Sequence, residues 1–204
     1  MSSGHRPFVV GPAATELLDS PEAHREEFAR TRSLPCHDIF DPGFFKVITG
    51  FIDRAAFTQE GVQGLLFRTT ETPARAGGAI SLALRRPNLL RWVEAVTGCD
   101  TLVRVSGRVQ QVEASPDTEL EWHNDMWEPT RRIGITINLG DQPYEGGEFE
   151  LRDYKGNMLT EHRHVDQGSA LLFDVGRRYE HRVLPVTAGG PRRVYAGWFY
   201  KGEP

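Results

Sequence analysis

Two cysteines in 204 residues, Cys36 and Cys99, are too few and too far apart for a disulfide framework, and neither belongs to a C-x-x-C pair. No apolar run approaches the ~18 residues of a membrane-spanning helix. There is no basic excess: 24 Lys and Arg stand against 28 Asp and Glu, a formal charge of −4, which argues against a nucleic-acid binder working through a broad basic face. The opening MSSGHRPFVVGPAA has neither the charged start nor the apolar stretch of a leader peptide. Repeats, low-complexity tracts and linker-like composition breaks are missing too. The expectation is a soluble, cytoplasmic chain with no membrane or nucleic-acid partner, forming one domain over residues 1–204.

What is present is turn-rich: 21 glycines and 13 prolines punctuate the chain. Residues 1–100 read as a mainly helical support region. Ser20-Pro21-Glu22 is an N-cap, first-turn proline and acidic residue leading into a helix over EAHREEFART. After Asp41-Pro42-Gly43, FFKVITGFI reads as a short strand, and Asp53 as the cap of a helix through AAFTQEGVQGLLF, weakened by Gly61 and Gly64. In RPNLLRWVEAVTG, Leu89, Leu90, Val93 and Val96 share a helical face that Gly98 terminates.

From residue 101 the pattern changes to short alternating or apolar stretches rich in Val, Ile, Thr and aromatics: TLVRVSGRVQQVEA, RRIGITINLG, GGEFELRD, GSALLFD, HRVLPVT and RVYAGWFY. Ile133, Ile135, Ile137 and Leu139 fall on one strand face. Gly134, Thr136 and Asn138 fall on the other, where small residues suit a cavity lining. Helices followed by a meander of strands imply an α+β fold, with a sandwich or jelly roll as its body.

The chemistry concentrates in EWHNDM. If this segment is extended, His123 and Asp125 project from one side and Trp122 and Asn124 from the other. One imidazole and one carboxylate on a shared face need a further ligand, and a second histidine would complete a two-histidine, one-carboxylate set with open positions. H-x-D alone is also a common surface pattern. Of the other histidines, His5, His24 and His37 read as solvated or capping residues. His162 and His164 form an H-x-H that reads most simply as an exposed loop entering a strand. His181 opens HRVLPVTAGGPRRVYAGWF, an apolar strand, a glycine-rich turn and a second strand bearing arginine.

WHND, YEGGEFEL, HRVLPVTAGGPRR and GWF, in that order over roughly residues 100–200, resemble the prolyl-hydroxylase-like branch of the iron(II)/2-oxoglutarate-dependent dioxygenases. The resemblance implies a double-stranded β-helix (jelly-roll) core over 101–204. It implies metal ligands and catalytic residues at His123, Asp125 and His181, with Fe(II) and 2-oxoglutarate as cofactor and cosubstrate and ascorbate as a stimulant. A basic residue about ten positions after the distal histidine is expected to hold the far carboxylate of 2-oxoglutarate. Arg192 and Arg193 both qualify, and Arg192 is preferred because it shares strand parity with Trp198, six residues on. The implied activity is hydroxylation of an amino acid, a peptide side chain or a small metabolite, with release of succinate and CO2. Asp125 stands where related halogenases carry a small residue to admit chloride, which favours hydroxylation. The tyrosine that many relatives carry on the strand before H-x-D is missing, leaving Gln110 or Gln111 to substitute. Glu148 and Glu150 read as structural, and Trp127 as a residue of the substrate mouth or a packed aromatic. Arg104, Arg108, Arg131 and Arg132 read as exposed strand arginines rather than an anion site. A non-catalytic jelly-roll metal-binding or sensing domain is the alternative.

Overall fold

The computed structural model describes residues 5–59 and 68–202. A short hairpin of β1 (Phe8–Val10) and β2 (Thr15–Leu17) leads into α1 (Glu22–Thr31) and β3 (Ser33–Cys36). Then come α2 (Pro42–Ile52), β4 (Ala56–Gln59), β5 (Arg68–Thr72), α3 (Arg75–Leu84) and α4 (Pro87–Thr97). The remainder is strand: β6 (Leu102–Val112), β7 (Leu120–His123), β8 (Arg131–Asn138), β9 (Tyr144–Gly146), β10 (Phe149–Asp153), β11 (Met158–His162), β12 (Ala170–Asp174), β13 (Tyr179–Val183), β14 (Val186–Gly189) and β15 (Arg192–Lys201).

The strands form a major antiparallel sheet, β3-β12-β8-β15-β6-β5-β4, and a minor one, β11-β10-β13-β7, with β9 and β14 paired at one end. Alternation gives the major sheet two different faces. Val105, Val109, Ile133, Ile135, Ile137, Leu172, Tyr195 and Phe199 point to the helices and, with Ile48, Ile80, Leu84, Leu89 and Val93, make the larger core. Leu171, Phe173 and Val175 point the other way and meet Phe149 and Leu151 of the minor sheet. Two sheets face to face around an internal space, with helices on the outer face of one, are the α+β jelly roll expected from the strand pattern.

Several local readings hold. α1 and α4 span the expected segments, and Gly98 closes α4 in the left-handed region at φ 69°. Pro21 rather than Ser20 occupies the cap position of α1, and no side chain caps it. Two readings fail. FFKVITGFI is not a strand but the body of α2: Asp41 accepts a hydrogen bond from the Phe44 amide at 2.9 Å, Pro42 takes the first turn, and Phe44, Ile48 and Ile52 bury one stripe. Propensity differences of about 1 kcal/mol per residue or less yield to three large side chains worth about 1.5–3 kcal/mol each on burial. The helix expected from Asp53 is likewise absent over Ala56–Gln59, which pair with β5 as a strand; the rest of that segment lies outside the described residues. α3, unanticipated because its RAGG start is a poor helix former, is held by the buried Glu71 carboxylate of β5, which accepts from the Ala76 and Gly77 amides at 2.7 and 2.9 Å. The first hundred residues therefore supply the helices and also β3, β4 and β5 of the major sheet.

Candidate metal centre

His123 ends β7, and His181, on the adjacent β13, is its register partner; the two rings lie 4.1 Å apart between centroids. Asp125 joins them in a way that strand parity did not foresee. The strand stops at His123, and Asp125 sits in a turn with φ 58°, a left-handed conformation that aspartate tolerates better than most residues. Its carboxylate lies 3.7 Å from His123 Nε2 through Oδ1 and 3.4 Å from His181 Nε2 through Oδ2. The ligand atoms of the three residues all lie within 4.8 Å of one another.

Neighbouring groups orient each donor. His123 Nδ1 is 2.7 Å from the Glu121 carbonyl, which fixes the proton there and leaves Nε2 as the lone-pair donor toward Asp125. Burial, then the charge of His181, depress the pKa of His123, and Arg68 acts in the same direction. Phe149 and Phe173 flank the His181 ring at 5.4 and 4.9 Å. Gly134 makes room for Phe173, since an added Cβ would fall within its ring. Burial alone would raise the Asp125 pKa, but the hydrogen bond and charge of His181 outweigh it, together with His123 and Trp198, and hold it at about 2. Trp198 Nε1 donates to Asp125 Oδ2 at 2.7 Å.

Arg131 is a correction to its reading as an exposed strand arginine. It is 3% exposed, donates to Asp125 Oδ1 at 3.3 Å, pairs with Glu128 at 3.4 Å, and has Trp127 and Trp198 rings 4.0 and 3.7 Å from its guanidinium carbon. A register shift where β15 passes from Phe199 to Tyr200 turns it off the face its parity predicts. Trp127 itself is 76% exposed at the cavity rim. Trp122 points away from the centre, as parity required, flanked by Arg152 and Arg182.

The centre opens into a cavity of about 290 Å³ between the sheets, lined among others by Gln110, Thr136, Arg192, Val194 and Trp198. Arg192 is buried, and its Nε has no hydrogen-bond partner. Its stem passes where a side chain at Gly147 would be: an added Cβ there would stand 2.9 Å from Arg192 Cδ, and Gly147 has φ 70°. Arg193 faces the other side of the sheet, donating to Gln111 Oε1 at 2.7 Å with its guanidinium 5.5 Å from the Phe57 ring. Gln110 lines the cavity and Gln111 does not.

The H-x-H pair also differs from its reading as an exposed loop. His162 ends β11, and His164 is 5% exposed, within hydrogen-bond reach of Ser169 at 3.0 Å and Thr136 at 3.2 Å. Burial and the nearby Arg192 charge push the His162 pKa down to about 4, and burial, His162 and Arg192 push that of His164 well below its ordinary value. Both imidazoles are thus neutral beside a buried guanidinium. His24, read as solvated, is buried against Trp92 and paired with Asp19 at 3.2 Å. Glu150, read as structural, pairs with Arg182 at 2.6 Å.

Two imidazoles and a carboxylate converging at the mouth of a double-stranded β-helix define the metal-centre class of non-haem iron oxygenases; the donor set suits Fe(II) and leaves positions open for other ligands. The buried arginine with an orphaned Nε, next to neutral imidazoles, suits a dianionic 2-oxo acid lying between it and the metal. Residues 108–200 match the family model of the 2OG-Fe(II) oxygenase superfamily. Solved structures agree in fold. An oxidoreductase of the 2OG-Fe(II) oxygenase family from Burkholderia pseudomallei is 14% identical, with 90% of this chain and 91% of that one covered at a TM-score of 0.65. A Pseudomonas putida prolyl-4-hydroxylase is 15% identical, covering 90% and 100% at 0.61. A Trichoplax adhaerens prolyl hydroxylase, solved with a hypoxia inducible factor oxygen degradation domain peptide fragment, is 13% identical, covering 89% of both chains at 0.66. No curated protein matches the sequence. Residues 108–200 thus carry the likeness to the 2OG-Fe(II) oxygenase superfamily, and the fold of the chain is prolyl-hydroxylase-like. No helix among the described residues is long and apolar enough to cross a membrane.

Proposed function

We propose that this chain is a single-domain, cytoplasmic hydroxylase acting on an amino acid, a peptide side chain or a small metabolite. In this reading His123, Asp125 and His181 hold Fe(II), Arg192 anchors 2-oxoglutarate, and succinate and CO2 are released. The observation that carries the reading is the convergence of three metal donors and a buried, partly unsatisfied guanidinium on one cavity. Bound there, Fe(II) and 2-oxoglutarate would supply the oxygen-activating redox chemistry that couples decarboxylation of the cosubstrate to oxidation of a substrate.

The protein's own part is placement and exclusion. His123, its proton held on Nδ1 by the Glu121 carbonyl, and His181 both turn Nε2 toward the carboxylate, and Asp125, held at about 2, stays ionised throughout the physiological range. Trp198 and Arg131 each hold one Asp125 oxygen, so the carboxylate presents a fixed edge. Phe149 and Phe173 keep water from the back of His181. Arg192 grips the distal carboxylate with its planar fork, while Gln110, the cavity-facing member of its pair, takes the polar contact left vacant by the missing tyrosine.

The test is succinate formation by purified protein with Fe(II), 2-oxoglutarate and ascorbate, first alone and then with amino acids and peptides, followed by mass spectrometry of products. Slow turnover without substrate and faster turnover with a +16 Da product are expected. Absence of turnover together with absence of metal-dependent 2-oxoglutarate binding would leave a metal-binding or sensing domain as the better description.

A further inference from the structure

Arg131 brings more to the metal centre than a hold on one carboxylate oxygen. It is 3% exposed, lies between the Trp127 and Trp198 rings at 4.0 and 3.7 Å, and its Nε has no hydrogen-bond partner. Trp198 Nε1 reaches Asp125 Oδ2 at 2.7 Å. Arg131 reaches Oδ1 only at 3.3 Å, beyond the roughly 2.7–2.9 Å of a strong charge-assisted bond. Hydrogen bonding is short-ranged and directional, whereas Coulomb attraction falls only as the inverse of distance. The tryptophan is therefore the clamp, and the arginine acts chiefly as a charge. Stability does not account for it, because the desolvation of a buried ion pair offsets most of its attraction. The two indole faces attract the cation and carry no net charge, so they hold it without cancelling it. Glu128 is the competing anion, but it is partly exposed, 3.4 Å from Arg131, and shared with Arg104 at 3.0 Å.

We propose that Arg131 sets the oxidation-state preference of the metal held by His123, Asp125 and His181, its fixed charge favouring Fe(II) over Fe(III). The inference rests on the oxygenase reading above. Asp125 is the one carboxylate of the donor set, and it attracts a bound cation in proportion to that cation's charge. A guanidinium beside the carboxylate offsets that attraction in the same proportion. The trivalent ion, with one charge more, loses more than the divalent one. The couple transfers a single electron: Fe(II) gives it to an outside acceptor and becomes Fe(III), with no bond made or broken in the protein. Arg131 thus helps keep the resting enzyme in the ferrous state. A loosened site weakens both oxidation states and leaves their ratio alone. A lost charge changes the ratio.

Redox titration of the full-length iron-loaded protein, with mediators and the Fe(III) EPR signal as readout, provides the test. Anaerobic Fe(II) uptake is measured first; without it the metal-centre reading fails, and this proposal falls with it. Arg131→Gln keeps a donor and removes the charge. It should lower the preference for Fe(II) over Fe(III) by about tenfold or more, at about 59 mV per decade for a one-electron couple. Glu128→Gln leaves the arginine in place and removes its competing anion, so the preference should rise. That rise should be the smaller shift, because a partly exposed charge is screened by solvent. Trp198→Phe removes the shorter bond but no charge, and should move the ratio less than Arg131→Gln does. An unchanged ratio in Arg131→Gln, no rise in Glu128→Gln, or a larger shift in Trp198→Phe than in Arg131→Gln would overturn the proposal. Should Arg131→Gln fail to fold, Glu128→Gln decides alone: a rise supports the proposal, and anything else sinks it.

Discussion

Replacing Arg192 by methionine, which keeps most of the side-chain volume, isolates the charge at the inner end of the cavity. Two charge-assisted hydrogen bonds from a guanidinium to a carboxylate contribute about 1.5–3 kcal/mol each. Taking 3–4 kcal/mol in total, at 1.4 kcal/mol per decade, 2-oxoglutarate should bind about 10²- to 10³-fold more weakly. The apo protein should not suffer, because the guanidinium is buried with Nε unpartnered, and its removal takes away an uncompensated charge. Thermal melts under anaerobic Fe(II) separate the two effects. At a hundred times its dissociation constant a ligand adds about 2.7 kcal/mol, which for a chain of this size is about 5–11 °C. Wild-type protein should show that rise with 2-oxoglutarate, and Arg192→Met should show almost none at the same concentration while its unliganded melting temperature holds or rises. Arg193→Met loses a part-buried bond to Gln111 and the contact with Phe57, both on the far side of the sheet from the cavity, and should behave like wild type. If Arg193→Met abolishes the ligand-induced rise and Arg192→Met preserves it, the assignment across the glycine-rich turn is wrong.

Trp198→Phe removes the 2.7 Å hydrogen bond to Asp125 Oδ2 while keeping an aromatic ring, and metal affinity or turnover should fall about 10–100-fold, measured by metal titration and succinate release. Gly134→Ala drives a methyl group into the Phe173 ring and should cost about 1–3 kcal/mol by overpacking, seen as a lower denaturation midpoint; unchanged stability would contradict the contact. Acid should weaken the apo fold through His162. Its folded pKa of about 4 lies below the ordinary 6.5, so the unfolded chain takes up the proton first and stability falls as pH drops through that window. Urea melts at pH 7 and pH 5 should show that loss, and His162→Gln should reduce it.

The chemistry-bearing half was legible where alternation was clean. β8 buries Ile133, Ile135 and Ile137 toward the helices and turns Thr136 to the cavity, as its period-two pattern required. The same parity separated Arg192 from Arg193. Elsewhere, the sequence signal was overruled by contacts distant along the chain. The β-prone residues of α2 became helical because a cap and a buried stripe outweighed local preference. Asp125 meets His123 through a left-handed turn rather than a shared strand face, a conformation that no periodicity encodes. Arg131 and His164 were misread as exposed because arginine and histidine are mostly found on surfaces. Their burial depends on partners brought in by other strands: Trp198 for Arg131, and Thr136 and Ser169 for His164. A register shift, which depends on two strands at once, hid Arg131 further.

The two-faced major sheet has an evolutionary consequence. Along β15, Arg192, Val194, Ala196 and Trp198 look into the cavity, whereas Tyr195 and Phe199 belong to the core under the helices. Substrate preference and folding stability are therefore written on alternate letters of the same strands. A change at Ala196 or Val194 can reshape what enters the pocket without disturbing the packing that keeps the sheet in place. A change one residue along does the reverse. Such interleaving makes the cavity wall a natural target for directed evolution toward new substrates, with the odd-numbered positions of β15 left alone.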